Sequence, residues 1–300
     1  SQAPTRLLAH RSKRPRPHRD DKIIAGWNGL MISSLAYGGA ALEEQRYVDA
    51  AKRAADFVLS TLRENGRLKR FYRDGRAVEP AFLDDYAFLV LGLLDLYEAT
   101  FDAKWLVDAR TLAMQMIDLF GDEQDAAFYL TAKDAERLII RSKPAYDGAV
   151  PSGNSVAAFA LLRLGLMTMD DKLTDRAAEL IESFSAQLTQ SPISLNAMLN
   201  ALDLRIGPTQ EIIIAGNSEL TQTKEMLKLI RGRFLPNAVL ILHPPGEAGR
   251  EIEKVVPFLE GQLPIGGKLT AFVCENYVCR KPVNEIEALE EVLAGIMKKQ

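Results

Sequence analysis

From Gly26 onward the chain alternates between two kinds of helical stretch. Gly26 to Leu42 is nearly uncharged and rich in small residues, Ser33, Ser34, Ala36, Gly38, Gly39, Ala40 and Ala41 among them. A helix apolar all round predicts burial on every side. Tyr47 to Glu64 instead places Asp49, Lys52, Arg53, Asp56 and Arg63 between Val48, Ala51, Ala55, Val58 and Leu62, the pattern of an amphipathic helix with one wet face. The pair then returns. Asp84 to Glu98 is apolar apart from its first turn and Asp95, and Lys104 to Leu119 is amphipathic; Asn154 to Met169 and Lys172 to Leu188 form a third pair.

The copies superpose. Tyr47-Val48-Asp49-Ala50 corresponds to Leu106-Val107-Asp108-Ala109 and to Leu173-Thr174-Asp175-Arg176, and counting back 21, 23 and 21 residues from those aspartates reaches Asn28, Asp85 and Asn154. Self-similarity at this period predicts repeated helical hairpins, one buried and one half-buried helix per unit. Closed in a ring, such hairpins put the apolar helices inside, parallel, with their N-termini at one end. The fold class expected is mainly α: an (α/α) toroid of helical hairpins with a small C-terminal α/β segment. Strand-like pieces at Leu68 to Tyr72, Ala127 to Leu130 and Leu138 to Arg141 would cover the N-terminal end. Ile193 to Leu204 reads as the first half of a fourth hairpin. Beyond it come strand-like Glu211 to Ala215, an amphipathic helix over Leu220 to Arg231, strands at Ala238 to Leu242 and Leu269 to Cys274, and a terminal helix over Glu285 to Lys299. The division expected is a basic leader over 1–25, the helical array over 26–205 and the α/β segment over 206–300.

Composition narrows the picture. With 47% apolar and 26% charged residues and a formal net charge of -3, the chain has no global bias toward nucleic acid or membrane. No apolar run approaches the roughly 18 residues of a membrane span, and no secretory h-region opens the chain. Two cysteines are too few for a disulfide framework, which makes a reducing, cytoplasmic setting the expectation. The leader carries Arg6, Arg11, Lys13, Arg14, Arg16 and Arg19, broken by Pro15 and Pro17, which predicts an extended or turn segment, either a solvated tail or an arginine-built anion site.

The inner-helix starts supply the candidate chemistry: Trp27, Asn28, Asp84, Asp85, Tyr86, Ser152 and Asn154, with Asp20, Asp21, Tyr146 and Asp147 in nearby loops. Carboxylates and amides suit sugar hydroxyls, and aromatic faces suit the C–H side of a ring. Glycoside hydrolysis needs two carboxyl groups across the scissile bond; Asp84 or Asp85 with Asp21 or Asp147 would fill those roles. Each of these residues is equally an ordinary helix cap. The three histidines, His10, His18 and His243, share no metal-ligand spacing, so neither a metal site nor a cofactor is expected. Gly216-Asn217-Ser218 lacks both the G-x-G-x-x-G spacing and a Walker lysine, so it is not read as a nucleotide loop. Cys274 and Cys279 flank a turn at Glu275-Asn276; they are read as a structural thiol pair or, alternatively, as a redox or disulfide pair.

Several motifs in order resemble the spermatogenesis-associated protein 20 family of thioredoxin-domain proteins. They are Lys13-Arg14-Pro15-Arg16-Pro17-His18-Arg19-Asp20-Asp21-Lys22 with Trp27-Asn28-Gly29-Leu30, then Phe82-Leu83-Asp84-Asp85-Tyr86, Pro151-Ser152-Gly153-Asn154, and Cys274-Glu275-Asn276-Tyr277-Val278-Cys279. The resemblance implies a helical part like that of six-hairpin glycosidases and sugar 2-epimerases, and a thioredoxin-like domain upstream. This chain holds no C-x-x-C, and its seven array helices, eight with the terminal one, fall short of the twelve that six hairpins require. An incomplete, open array is therefore expected, with exposed apolar inner faces and a tendency to self-associate.

The function expected is a carbohydrate-active domain that binds or hydrolyses a sugar or sugar derivative at the inner-helix N-termini. Trp27, Tyr86 and Tyr146 would stack on the ring; Arg16, His18, Asp20, Asn28, Ser152 and Asn154 would hold hydroxyls or an anionic group. The alternatives are a non-catalytic scaffold serving a thioredoxin-like domain and a sugar 2-epimerase-like isomerase, the latter disfavoured by the scarcity of histidine bases.

Overall fold

A computed structural model describes residues 3–136, 139–276 and 278–297. The leader opens with a helix, α1 (Ala3–Arg11), none of whose residues is buried. This corrects the expectation of an extended leader throughout: Pro15 and Pro17 interrupt helix only downstream of residue 11, and the chain runs irregularly from there to β1 (Ile23–Ile24). Then follow α2 (Ala25–Ala41), α3 (Gln45–Thr61), β2 (Arg63–Glu64), β3 (Arg67–Arg73), β4 (Arg76–Pro80), α4 (Leu83–Thr100), α5 (Ala103–Phe120), α6 (Gly153–Thr168), α7 (Asp171–Ser183), α8 (Ser185–Gln190) and α9 (Asn196–Ile206). The inner helices pack in the order α2, α4, α6, α9, with α3, α5 and α7 outside their respective partners. This is an arc of an α/α toroid.

The seam between α2 and α4 is made of glycine. A Cβ on Gly29 would stand 2.5 Å from the Phe88 carbonyl carbon, and one on Gly92 would stand 2.5 Å from the Gly29 carbonyl oxygen. The obstructing atoms are backbone, which cannot turn aside as a side chain can. Gly92→Ala is therefore expected to lower stability by about 2–3 kcal/mol, read as a drop in the urea midpoint with an unchanged slope.

Helices α4 and α6 are buried nearly all round, as their composition requires. Helix α2 is not: Trp27, Met31 and Tyr37 are exposed, as is Leu42 just past its end. The reason is positional. Among the described residues α4 and α6 each have inner helices on both flanks, whereas α2 has only α4.

The strand-like piece at Leu68 to Tyr72 is the heart of β3, which pairs antiparallel with β1, β2 and β4. Both hairpins turn on two residues with positive φ, Asn65-Gly66 and Asp74-Gly75. These dipeptides suit the left-handed conformation that a type I′ turn demands, and they were a readable signal for β2 and β4. Ala127 to Leu130 is not a strand. Its backbone is taken up irregularly: Phe128 N donates to Asn154 Oδ1, Tyr129 N to Phe120 O and Leu130 N to Ser142 O, which leaves no ladder. Of the piece at 138–141, Leu138 lies outside the described residues and the remainder is not strand.

In the α/β segment the expected elements follow in order, and a helix α11 and a short strand β8 join them: β5 (Gln210–Ala215), α10 (Thr221–Arg231), β6 (Ala238–His243), α11 (Glu247–Glu253), β7 (Thr270–Glu275), β8 (Val278–Cys279) and α12 (Ile286–Met297). The last two residues of the expected terminal helix, Lys298 and Lys299, lie outside the described residues. Strand order is β6-β5-β7-β8, with β5 and β6 parallel and the other pairs antiparallel. Alternation along the strands sends Ile213, Ala215, Val239, Ile241 and Phe272 into the core shared with the helical array. Ile212, Ile214, Leu240, Leu242 and Val273 face the other way, into a second core with Met226, Ile230, Leu289 and Leu293 of α10 and α12. Cys274 and Cys279 are cross-strand partners and form a disulfide, with Cα atoms 3.8 Å apart. That departs from the free-thiol reading, because the β7–β8 register places the two side chains directly opposite. Tyr277 of the same motif lies outside the described residues. No described helix is long and apolar enough to cross a membrane.

Candidate functional site

The N-termini of the inner helices are tied together by carboxylates. Each helix start presents N–H groups with no partner inside the helix, and here a neighbouring element supplies the acceptor. Asp85, in the first turn of α4, accepts at Oδ2 from Phe82 N at its own helix start (2.9 Å) and at Oδ1 from Gly26 N at the start of α2 (2.9 Å). Arg70 on β3 stands 3.3 Å from Oδ2 and stacks 4.1 Å from the Phe82 ring centroid. Asp147 does the same for the next pair. It accepts from Ser152 N (2.7 Å) and Ser155 Oγ (3.0 Å) at the start of α6, and from Ala197 N (2.8 Å) at the start of α9.

Asp84 is different. It reaches the first residue of α6, where a Cβ on Gly153 would stand 2.4 Å from Oδ1. That oxygen is buried and accepts no hydrogen bond of acceptable geometry. Burial raises its pKa; the Gly153 N–H and the Arg70 charge pull the other way and are outweighed. Asp85 is also raised, to about 6, again because burial outweighs the Phe82 N–H, the Arg70 charge and the Gly26 N–H.

The remaining predicted residues divide into three groups. Asn154 is fully buried and serves a loop, accepting from Phe128 N and donating to the carbonyls of Phe128 (3.0 Å) and Pro144 (2.9 Å). Asn28 donates to Ile24 O within its own turn, Ser152 caps α6 by accepting from Ser155 N, and the buried Tyr86 hydroxyl accepts from Leu68 N. Trp27 and Tyr146 are open to solvent, 63% and 72% exposed. Trp27 follows the glycine held by Asp85, and Tyr146 precedes Asp147, so both aromatics flank the joined helix starts. In the leader, Asp20 pairs with Lys22 (3.2 Å) and Asp21 with Arg73 (3.2 Å), while Arg16 and His18 are exposed.

Sequence reasoning missed Arg70 and, deeper in the array, a charged cluster. Arg163 of α6 donates to Asp95 Oδ1 (2.6 Å) and lies 3.0 Å from Glu98 Oε2, both on α4. The readable signal was a single charge inside an apolar helix: Asp95 in one inner helix and Arg163 in the next.

The chain is 35% identical over 299 residues to human spermatogenesis-associated protein 20, an alignment that takes in 96% of this chain and 38% of that protein. It matches part of spermatogenesis-associated protein 20. Protein B0495.5 of Caenorhabditis elegans is 30% identical over 291 residues, 94% of this chain and 39% of that one. The chain thus spans somewhat over a third of the length of the curated relatives it matches. No family model matches. Among solved structures, the GH76 alpha-mannanase BT2949 of Bacteroides thetaiotaomicron is similar with a TM-score of 0.51 at 14% identity, over 83% of this chain and 73% of that one. At that identity the likeness shows the fold, which is that of a six-hairpin glycosidase-like α/α toroid.

Proposed function

We propose that the chain is a carbohydrate-active module whose reactive end is the mouth formed by the inner-helix N-termini, with Asp84 as its acid. One observation carries this reading: of the four candidate carboxylates, only Asp84 keeps a buried oxygen that nothing but the Gly153 N–H faces. Asp85 and Asp147 have both oxygens engaged by helix N–H groups, and Asp21 is an exposed partner of Arg73. Burial favours the protonated Asp84 carboxyl, and a protonated carboxyl is what protonation of a glycosidic leaving oxygen requires. Trp27 and Tyr146 would present their faces to the sugar ring. A reaction that depends on protonated Asp84 is lost as pH rises through its elevated pKa.

The test is a glycan and sugar-phosphate screen on the complete protein, measuring both binding and release of reducing sugar, with Asp84→Asn. Turnover that falls at least about a hundredfold in Asp84→Asn with binding retained is the expected result. Absence of binding to every member would overturn the proposal. A second reading, a non-catalytic scaffold partnering a thioredoxin-like domain, is favoured by the saturation of Asp85 and Asp147 as helix caps. Binding without turnover, unaffected by Asp84→Asn, would select it.

A further inference from the structure

About 16 Å along α4 from Asp84 (11 residues at 1.5 Å each) lies Asp95, on the floor of a cavity of about 530 Å³ enclosed by all four inner helices and the segment leading into β6. The floor is a closed ionic arrangement. The Arg163 guanidinium bridges Asp95 and Glu98; Ser33 Oγ donates to Asp95 Oδ2, and Glu98 Oε1 accepts from Leu240 N on the edge strand β6. Arg231 stands at the same end of α4, donating to the backbone carbonyls of Glu98 and Ala99. Two carboxylates thus share one guanidinium, and Asp95 and Arg163 are each only 8% exposed.

The rim is different in kind. Tyr37 and Phe234 are 65% and 77% exposed, and Phe159 lines the same cavity. Ser34, Tyr37 and Asn200 line the cavity, and their side chains form no hydrogen bond with another described residue. Asp203 uses one oxygen to accept from Asn237 Nδ2.

We infer that this cavity is a second small-molecule site, separate from the helix-start mouth, that takes a non-anionic polyhydroxylated ligand of one or two sugar rings. Its volume falls within the roughly 300–1,000 Å³ of small-molecule pockets. An anionic ligand finds no counter-charge to gain, since Arg163 is already shared by Asp95 and Glu98 and Asp203 adds a third carboxylate to the lining, and prising Arg163 from its carboxylates would strand buried charge. A wholly apolar ligand would cover the rim hydroxyl, amide and carboxylate groups without partnering them. A polyol satisfies both conditions: its hydroxyls meet Ser34, Tyr37, Asn200 and Asp203, and its C–H faces lie on the aromatic rings. The inference does not depend on the mouth being reactive.

The experiment is calorimetric titration of the protein with neutral mono- and disaccharides (glucose, mannose, cellobiose, mannobiose) and with their amino-sugar and uronate counterparts. Two double variants accompany it, Tyr37→Ala/Asn200→Ala at the rim and Trp27→Ala/Asp84→Asn at the mouth. Tyr37, Asn200 and Trp27 are exposed and Asp84 is half-buried, and circular dichroism checks that each variant folds. At least one neutral sugar is expected to bind, with affinity reduced at least about tenfold in the rim variant and within about twofold of wild type in the mouth variant. No binding of any neutral sugar, tighter binding of the uronates, or a loss confined to the mouth variant would each overturn the inference. The last of these would leave the mouth proposal standing.

Discussion

Asp85→Ala is expected to lower the unfolding free energy by about 2–4 kcal/mol at pH 5. The substitution removes one carboxyl group whose two oxygens serve two helix starts, leaving Phe82 N and Gly26 N without an acceptor. Asp85 is 2% exposed, so water cannot readily replace it. Asp85→Asn, which keeps one acceptor oxygen, is expected to lose about half as much. The pH dependence separates this account from simple loss of packing. Burial raises the carboxyl from 3.8 to about 6 in the folded protein. The folded state therefore holds a proton that the unfolded chain releases between those values. The stability Asp85 contributes is fully present below pH 3.8 and is lost as pH rises through 6, by up to about 3 kcal/mol. The margin of wild type over Asp85→Asn should accordingly shrink between pH 4 and pH 7 in urea titrations. A margin independent of pH would mean that the carboxyl titrates normally.

Arg163→Met is expected to be at least as damaging, about 3–5 kcal/mol at neutral pH, because it removes the counter-charge of two carboxylates while nearly preserving volume. Asp95 is 8% exposed, and burial already raises the Glu98 pKa, against the Arg163 charge that lowers it. Without Arg163 the Glu98 carboxyl loses the charge that opposes its upward shift, so the variant should recover stability as pH falls toward 5. Adding Asp95→Asn to Arg163→Met should recover part of the loss at pH 7. Thermal and urea unfolding of the single and double variants measure this. Equal loss at pH 5 and pH 7.5 would show that packing, not charge, decides the effect.

Much of the hairpin array was legible along the chain. The alternation of apolar and amphipathic stretches located α2 to α7, and the internal repeat placed Asn28, Asp85 and Asn154 at corresponding helix starts. What the repeat could not supply was the job of each residue. Asn28 closes its own turn, Asp85 bridges two helices and Asn154 holds a loop, because those roles depend on which N–H or carbonyl a neighbouring element brings near. The strand expected at Ala127 to Leu130 failed for the same reason, its backbone partners being the Asn154 side chain and isolated loop carbonyls.

Sequence alone determined the fold class, the repeat unit and the end of the array at which the carboxylates gather, since these follow from periodicity and from the preference of acidic and amide side chains for helix N-termini. Tertiary structure decided which carboxylate keeps a buried oxygen in reserve, that among the described residues α2 meets another inner helix on one flank only, and that Asp95, Glu98 and Arg163 meet across two helices. Those outcomes turn on distances of a few ångströms between residues some 60 positions apart, and local patterning carries no information about them.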